Sequence, residues 1–361
     1  MAWRWRYTGS MAKGSSCRRI MYLLEKPEKG ADFQRFLERV LQGFSDFCII
    51  KTALEIGIFE KLEGAMELEE LARQHGFDER LFYLFLENLV RLGLLKKRGR
   101  SYAKSSMAEA FFSPSSPYCQ LERVDHELNR RMRWLRLHEL LKGDVEQFHK
   151  LPFFGHIIHT LAQQRILGEL QETAKAVSEL KGFKEARKLL DLGGGHGLYC
   201  IAFTSLNQDL EAYVLDLPEV LEETKKYLQR FGVNRVHLLP GDFFKDDLGK
   251  GYDIVFSSYN PAGKRKELIP KIWKCLKDGG LYINEQFFPQ QKEVTPEDLE
   301  WNLWTFGMAK GVKAYTFEGD LDLEGYIEAL NSFGFNVEKV LEMRPQVKMI
   351  VARKGQSEDL F

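Results

Sequence analysis

The residue pattern with the clearest chemical meaning in this 361-residue chain is a glycine-rich run, LLDLGGGHG, from Leu189 to Gly197. Asp191, Gly193 and Gly195 stand at alternate positions within it, after a segment that predicts a strand and before one that predicts a helix. Glycines permit a tight turn with positive φ, and their missing side chains let backbone N–H groups approach a ligand at a helix N-terminus. The run therefore predicts a cofactor-binding loop.

The spacing of these glycines argues against a nicotinamide dinucleotide. Such a site needs G-x-G-x-x-G, whose third glycine allows the following helix to pack closely on the strand. After Gly193 and Gly195 that position holds Leu198, and after Gly195 and Gly197 it holds Cys200. Two interpretations remain, a turn that only joins strand to helix and a loop that binds a different cofactor.

Acidic and aromatic residues end the next two predicted strands. Asp216, in VLDLPEV, follows the glycine run by nineteen residues and could accept hydrogen bonds from both hydroxyls of a ribose. In LLPGDFF, Asp242 could accept the amino group of adenine, and Phe243 could cover the ring. Three strand ends with complementary chemistry in this order predict S-adenosylmethionine (SAM) as the cofactor. Leu217 and Ser257 complete the predicted cofactor-binding set.

Hydrophobic periodicity indicates the elements that must position these residues. From Arg187 onward, short apolar runs alternate with amphipathic helices, which predicts a parallel, doubly wound sheet. The chain should end in an antiparallel hairpin that turns near residues 344–346. The N-terminal half should be mostly helical, with an amphipathic helix from Asp32 and a short second helix in LEIGIF. The predicted fold class is α/β, a Rossmann-like sheet preceded by a mostly helical winged-helix domain.

The winged helix is predicted between residues 66 and 105. One helix should end near Gly76, and a second, from about Glu79 to Leu92, should precede a two-stranded wing. Because DNA-binding regulators use the same geometry, regulation through DNA binding is an alternative function for this chain. Three acids and only two arginines lie between Asp78 and Leu92, whereas a groove-reading helix should present cations to phosphates. We therefore favour packing or dimerisation over nucleic-acid binding.

Composition limits the class of partner. Lysine plus arginine equals aspartate plus glutamate, 52 each, so no global field would attract nucleic acid or a membrane, and a small-molecule partner is favoured. The five cysteines are scattered without a C-x-x-C pair, which predicts no metal site and a reducing, cytoplasmic location. No apolar stretch reaches the roughly 18 residues of a membrane span. Residues 1–16 have the composition of an added leader.

The chain resembles the caffeic acid and hydroxyindole O-methyltransferase family of class I SAM-dependent methyltransferases. The matching motifs are LEIGIF, RLGLLKK, LLDLGGGHG, VLDLPEV, PGDFF, LKDGGLYINEQ and NSFGF. The resemblance implies a homodimer with a winged-helix dimerisation domain at 17–106, a helical linker at 107–183 that contributes to the acceptor pocket, and a SAM-binding domain at 184–361. It also implies that SAM is held by Gly193, Gly195, Asp216, Asp242 and Phe243.

The segment after the fourth strand of the sheet departs from the family pattern. Family members usually carry a histidine base there, in a Leu-His-Asp-Trp-like stretch, whereas this chain reads FSSYNPAGKRKEL and has no histidine after His237. Methyl transfer from a sulfonium gains much from positioning, so an acidic hydroxyl or a carbon nucleophile needs little help from a base. Tyr259 and Asn260 are the predicted catalytic residues, with orienting or proton-relay roles. His196, inside the glycine run, could touch the carboxylate of SAM or face solvent, and we favour solvent.

The acceptor is predicted to be a small aromatic or polycyclic molecule. The resemblance places Phe153, Phe154, Trp301, Trp304 and Met308 around the acceptor pocket, although core packing explains such residues equally well. Two other functions remain open. The NPAG sequence is compatible with N-methylation of a small amine, and the missing base is compatible with a protein that binds SAM without transferring its methyl group, as a regulator or a tailoring enzyme.

Overall fold

The computed structural model describes residues 26–143, 146–147, 150–290, 293–305 and 309–356, without the side chains of 146–147, 150–156, 261–262 and 305. The chain divides into two compact units, one that ends at Glu109 and one that begins at Ala110. No helix within the described ranges is both long and apolar enough to cross a membrane.

The N-terminal unit combines helices with a small antiparallel wing. The left-handed φ of Gly76, 67°, ends one helix, and the Asp78 carboxylate caps the next by accepting the N–H of Leu81 at 2.8 Å. In the wing, β3 pairs with both β1 and β2. The elements are α1 Gly30–Glu55, α2 Ile58–Lys61, β1 Met66–Glu67, α3 Leu68–His75, α4 Glu79–Arg91, β2 Leu95–Arg98, β3 Ser101–Lys104 and α5 Ser106–Phe111.

Helix α1 carries the predicted apolar stripe, and the stripe is exposed. Six large apolar side chains on α1 are each between 36% and 58% accessible: Phe33, Phe36, Leu37, Val40, Leu41 and Phe44. Each Å² of this apolar surface that a partner covers stabilises the association by roughly 25 cal/mol. Within the described part of the N-terminal unit, nothing covers it.

The C-terminal unit contains a seven-stranded sheet in the order β11-β12-β9-β8-β5-β6-β7. Strands β5 to β9 of this sheet are parallel, and the terminal hairpin β11–β12 adds antiparallel pairs at one side, as predicted. The strands are β5 Lys188–Leu192, β6 Glu211–Asp216, β7 Val236–Pro240, β8 Tyr252–Ser258, β9 Leu276–Phe287, β11 Phe335–Arg344 and β12 Val347–Lys354. A short separate pair joins β4 Glu146–Gln147 to β10 Trp304–Thr305.

Helices cover both faces of the large sheet. One core packs Leu189, Phe203 and Ile283 with their neighbours, and the other packs Leu190, Ile272 and Tyr282 with theirs, so adjacent residues of a strand face opposite layers. The carboxyl ends of the parallel strands therefore meet at one edge. The helices are α6 Leu121–Met132, α7 Leu137–Leu140, α8 Lys150–Arg165, α9 Glu169–Ser178, α10 Leu198–Leu206, α11 Pro218–Phe231, α12 Ile269–Cys275, α13 Pro296–Asn302 and α14 Leu323–Ser332.

Candidate cofactor and acceptor site

The glycine loop joins β5 to α10 with the backbone geometry that the sequence predicts. Gly193, Gly195 and Gly197 have φ values of 69°, 52° and 70°. Gly194 is required for another reason, because a Cβ there would lie only 2.6 Å from the Asp191 carboxyl. The loop backbone rests directly on this side chain.

Asp191 supports the loop from below. The residue is 1% exposed, and its Oδ2 lies 3.5 Å from the Cys200 thiol. Burial raises the pKa of Asp191 to about 7. The structure thus places this predicted cofactor residue underneath the loop, on the side of the sheet.

Most backbone donors of the glycine loop already have partners within the protein. The sequence suggests that these N–H groups are available to a ligand, but four of them are used internally. The bonds run from Gly193 to Leu215 O (2.8 Å), from Gly195 to Asp216 Oδ2 (2.9 Å), from Gly197 to Gly194 O (2.9 Å) and from Leu198 to His196 Nδ1 (3.1 Å).

His196 is buried, so the prediction that it faces solvent is wrong. It is 6% exposed, and burial lowers its pKa to about 3, which keeps the ring neutral. Its Nδ1 accepts the Leu198 N–H and thereby closes the start of α10. The sequence could not reveal this, because a short histidine-containing loop looks the same whether or not another helix covers it.

Asp216 ends β6 beside the loop, with its carboxylate partly exposed. Its two oxygens accept the N–H groups of Leu217 at 2.8 Å and Gly195 at 2.9 Å. Each carboxylate oxygen has a second lone pair, so both can also accept a ribose hydroxyl. Burial raises the pKa of Asp216 to about 6, although the two N–H groups oppose that shift.

The raised pKa predicts that cofactor binding depends on pH. The predicted role of Asp216 is to accept the ribose hydroxyls in its ionised form, and under this prediction protons and SAM compete for the carboxylate. We expect the affinity for S-adenosylhomocysteine, measured by calorimetry, to be constant above about pH 7 and to fall up to about tenfold per pH unit below about pH 6. Asp191→Asn should keep this dependence. Equal affinities at pH 7 and pH 5 would contradict the assignment.

Phe243 and Asp242 follow β7 at the same edge of the sheet. A Cβ built on Gly193 would lie 3.2 Å from the Phe243 ring, so the ring borders the loop. The Asp242 carboxylate instead accepts the N–H of Phe244 at 2.9 Å and pairs with Lys245 at 2.8 Å. The Lys245 ammonium lowers the pKa of Asp242. Phe243 is thus well placed for a purine face, while Asp242 also holds its own turn.

Asn260 and Ser257 connect the end of β8 to the glycine loop. The Asn260 side-chain N–H₂ donates to Leu192 O and, at 2.9 Å, to Ser257 Oγ. Ser257 is completely buried, and Asn260 is 8% exposed. A Cβ on Gly193 would lie 3.1 Å from Asn260. The structure therefore brings Asn260, Ser257, Phe243 and the loop together.

Tyr259 lies at the strained end of β8, between two arginines. Its φ is 51°, a left-handed value that bulky residues rarely adopt. Arg344 Nη2 donates to its hydroxyl at 3.2 Å, and the Arg165 guanidinium lies 3.9 Å from its ring centroid. Burial raises the pKa of Tyr259 despite the two positive charges.

A buried polar cluster behind Tyr259 was not foreseen from the sequence. Glu285, at the end of β9, accepts the Thr173 hydroxyl at 2.9 Å and pairs with Arg344. Arg165 pairs with Glu169. These residues lie up to 179 positions apart in the chain, between Arg165 and Arg344. Only the fold brings them to one place, and no local spacing signals it.

Trp301 and Trp304 form a packed cluster. They are 8% and 7% exposed, with ring centroids 5.1 Å apart. The Lys310 ammonium donates to the backbone oxygens of both, at 2.8 and 2.7 Å. Burial lowers the pKa of Lys310 to about 7. Of the other residues predicted to line the acceptor pocket, Phe153 and Phe154 lie in α8 with side chains outside the described set, and Met308 lies outside the described residues.

The site as a whole fits the chemistry of SAM. A half-buried carboxylate, an aromatic ring and a glycine turn meet at three neighbouring strand ends. These groups match a ribose, an adenine and a methionine part, respectively.

Comparison with known proteins adds an independent result. A family model described as the O-methyltransferase domain matches residues 161–316, and one described as the O-methyltransferase dimerisation domain matches residues 38–114. An uncharacterized protein of Methanocaldococcus jannaschii is 35% identical over 332 residues, 89% of each chain. Acetylserotonin O-methyltransferase of Macaca mulatta is 26% identical over 297 residues, 73% of this chain and 83% of the relative. An O-methyltransferase family structure from Burkholderia thailandensis shares the fold, with a TM-score of 0.72 and 19% identity over 89% of this chain and 98% of that one.

Proposed function

Because the chain belongs to the family of SAM-dependent O-methyltransferases, we propose that it transfers the methyl group of SAM to an oxygen or carbon atom of a small aromatic or polycyclic acceptor. The observation that carries this proposal is the convergence of the glycine loop, Asp216 and Phe243 beside a β8 end that offers Tyr259 and Asn260 in place of a histidine.

Different residues of the site bind SAM and orient the acceptor. Bound SAM supplies a methyl group activated by its sulfonium. Asp216 accepts the ribose hydroxyls, Phe243 covers the adenine, and the backbone turn at Gly193 and Gly195 lies against the methionine part. Asn260 holds the end of β8 against Leu192 and so sets the distance between acceptor and loop. Such positioning supplies much of the rate in an in-line displacement.

Tyr259 is the proposed proton-relay residue. Its oxygen has two lone pairs: one accepts the hydrogen bond from Arg344, and the other can take the proton of the acceptor hydroxyl while the Tyr259 O–H passes its own proton to water. Tyr259→Phe removes only the hydroxyl and keeps the ring on Arg165. We expect turnover to fall by about 10- to 100-fold, at or below the low end of acid–base contributions, with SAM affinity within about twofold of the wild type.

Tyr252→Phe is the matched control, because Tyr252 lies at the opposite end of the same strand. Steady-state kinetics and SAM titrations on both variants separate the roles. Unchanged turnover in Tyr259→Phe would remove the relay role and leave positioning alone.

The direct test is product analysis. Purified protein is incubated with methyl-labelled SAM and a panel of phenols, polycyclic hydroxy compounds, activated carbon nucleophiles and small amines. Label on oxygen or carbon supports the proposal. Label only on nitrogen supports the amine alternative, and SAM binding without transfer to any acceptor supports a regulatory or non-methylating protein. Absence of SAM binding would refute the proposal.

A homodimer is the proposed assembly. The matched dimerisation model begins on α1, and the stripe of Phe36, Val40 and Phe44 on that helix is exposed at i, i+4 and i+8. Phe36→Glu with Phe44→Glu would bury unpaired charges in an interface formed by this stripe, at a cost of several kcal/mol. We expect this variant to be monomeric by light scattering.

Gln34→Glu, a charge change on the same exposed helix, serves as the control and should remain dimeric. A dimeric Phe36→Glu, Phe44→Glu protein would exclude the stripe from the interface.

A reducing, cytoplasmic location is also proposed. Cys48, Cys119, Cys200 and Cys275 are free thiols in the described part of the chain, and the last two are buried. Such unpaired, scattered cysteines are typical of proteins that work in a reducing compartment.

A further inference from the structure

A β-bulge in the terminal hairpin sets the direction of the Arg344 side chain. The bulge lies in β11 between Glu342 and Arg344, where the pairing with β12 shifts by one residue. Met343 packs against the core that contains Ile283 of β9. Arg344 pairs with Glu285, two residues after Ile283 and therefore on the same face of β9. The bulge thus turns two adjacent residues of β11 toward one face, and the second is an arginine.

The guanidinium of Arg344 lies between a buried carboxylate and the hydroxyl of Tyr259. Glu285 is completely buried, pairs with this guanidinium and accepts the Thr173 hydroxyl at 2.9 Å. Nη2 of Arg344 donates to the Tyr259 oxygen at 3.2 Å. The backbone N–H of Tyr259 donates to the backbone oxygen of Glu285 at 3.0 Å. The same residue of β9 therefore holds both partners of the Arg344–Tyr259 hydrogen bond.

The charged groups around Tyr259 come from four elements, and the cations contact it directly. Arg344 from β11 bonds to its oxygen, and the Arg165 guanidinium from α8 lies 3.9 Å from its ring centroid. The carboxylates of the cluster pair with these two arginines: Glu285 of β9 and Glu169 and Glu172 of α9. Burial raises the pKa of Tyr259, and the positive charges of both arginines oppose that shift. Negative charge on the Tyr259 oxygen therefore has a guanidinium at hydrogen-bond distance.

We propose that Arg344 is the positioning residue that makes Tyr259 an effective proton acceptor for the hydroxyl of the methyl acceptor. This inference rests on the proposed function, because it assigns a role in methyl transfer to oxygen. The acceptor oxygen forms a bond to the methyl carbon, and the carbon–sulfur bond breaks with its electron pair left on sulfur. The acceptor proton moves to the Tyr259 oxygen, and the Tyr259 O–H passes its proton to water. Arg344 stabilises the negative charge that develops on the tyrosine oxygen during this exchange.

The direct test replaces Tyr259 by a difluorinated tyrosine, because the fluorines make the phenol more acidic and bring its ionisation into the pH range of the folded protein. Fluorine NMR on the full chain then follows this single side chain without any methyl acceptor. We expect Arg344→Gln to raise the titration midpoint by at least about one pH unit, since a neutral amide replaces the charge that stabilises the phenolate. Glu342→Gln, on the same strand with a side chain 64% exposed, is the matched control and should leave the midpoint unchanged.

Kinetics with the phenols of the panel as acceptors test the consequence for transfer. Arg344→Gln should lower kcat about tenfold, with KM for SAM within about twofold of the wild type. Adding Arg344→Gln to Tyr259→Phe should cause no further loss, because both substitutions remove the same contribution. Additive losses would mean that Arg344 does not act through Tyr259.

The outcomes separate this inference from the proposed function. If the wild type methylates no acceptor, the proposed function fails, while the fluorine titration still decides whether Arg344 stabilises the tyrosine oxygen. An unchanged midpoint in Arg344→Gln would overturn the inference even in an active enzyme. Should Arg344→Gln fail to fold, Arg344→Lys provides the test. A single ammonium cannot bridge Glu285 and Tyr259 as the planar fork does, so the midpoint should rise by a smaller amount, and a wild-type midpoint would overturn the assignment.

Discussion

Asp216→Ala is expected to reduce SAM affinity by at least about 100-fold, below detection in an ordinary titration. Two hydrogen bonds from the ribose to a carboxylate contribute about 1.5–3 kcal/mol each, and both disappear. The N–H groups of Gly195 and Leu217 also lose their acceptor, so the loop loses part of its support. Calorimetric titration with SAM and with S-adenosylhomocysteine measures the effect.

Asp209→Ala is the matched control for this substitution. Asp209 precedes β6 at the opposite end of the strand, where its carboxylate is 68% exposed and pairs with Arg187 at 2.8 Å. Removing it should leave SAM affinity unchanged. An Asp216→Ala protein that is folded and binds SAM with wild-type affinity would show that the ribose is held elsewhere.

Gly194→Ala is expected to have the largest effect on the loop itself. The added Cβ would lie 2.6 Å from Cγ and Oδ2 of Asp191 and 2.9 Å from Val214 Cγ1, closer than real contacts allow. Asp191 is 1% exposed, so it is packed on all sides. Overpacking of this kind costs about 1–3 kcal/mol, and the loop must shift to relieve it. We expect a lower free energy of unfolding together with SAM binding weakened at least about tenfold, by denaturant titration and calorimetry.

A substitution at a second glycine distinguishes the effect of steric contact from the effect of backbone strain. Gly232, which ends α11, has a φ of 61°, and a Cβ there would meet nothing within 4 Å. Gly232→Ala should cost about 1 kcal/mol of stability through its left-handed backbone, with SAM binding unchanged. A Gly194→Ala protein with wild-type stability and affinity would mean that the loop is not held against Asp191.

Local sequence patterns were sufficient to predict the secondary-structure elements and SAM as the methyl donor. Alternating apolar runs located β5 to β9, and the left-handed glycines of the loop, the carboxylate of Asp216 and the ring of Phe243 lie together as their positions after successive strands imply. Parallel strands place their carboxyl ends at one edge, so a motif at each strand end converges there without further information.

Such local patterns could not predict which side chains are buried or which groups they contact. His196 was expected at the surface but is covered, and Asp191 lies under the loop. Asn260 is predicted to orient the acceptor or relay a proton, and only the structure shows that its amide nitrogen is bonded to Leu192 and Ser257. Which side of a loop a side chain takes depends on the element packed above it, and that element is distant in the chain.

The sequence by itself therefore determined the cofactor class, the sheet that holds it and the absence of a histidine base after β8. The tertiary structure alone decided what surrounds Tyr259: Arg165 from α8, Arg344 from β11 and the buried Glu285 from β9. The physical reason is the range of the interactions. Strand and helix patterns repeat within a few residues and can be found in the sequence. Buried charged residues instead pair with whichever opposite charge the fold buries beside them, and that partner can lie far away in the chain.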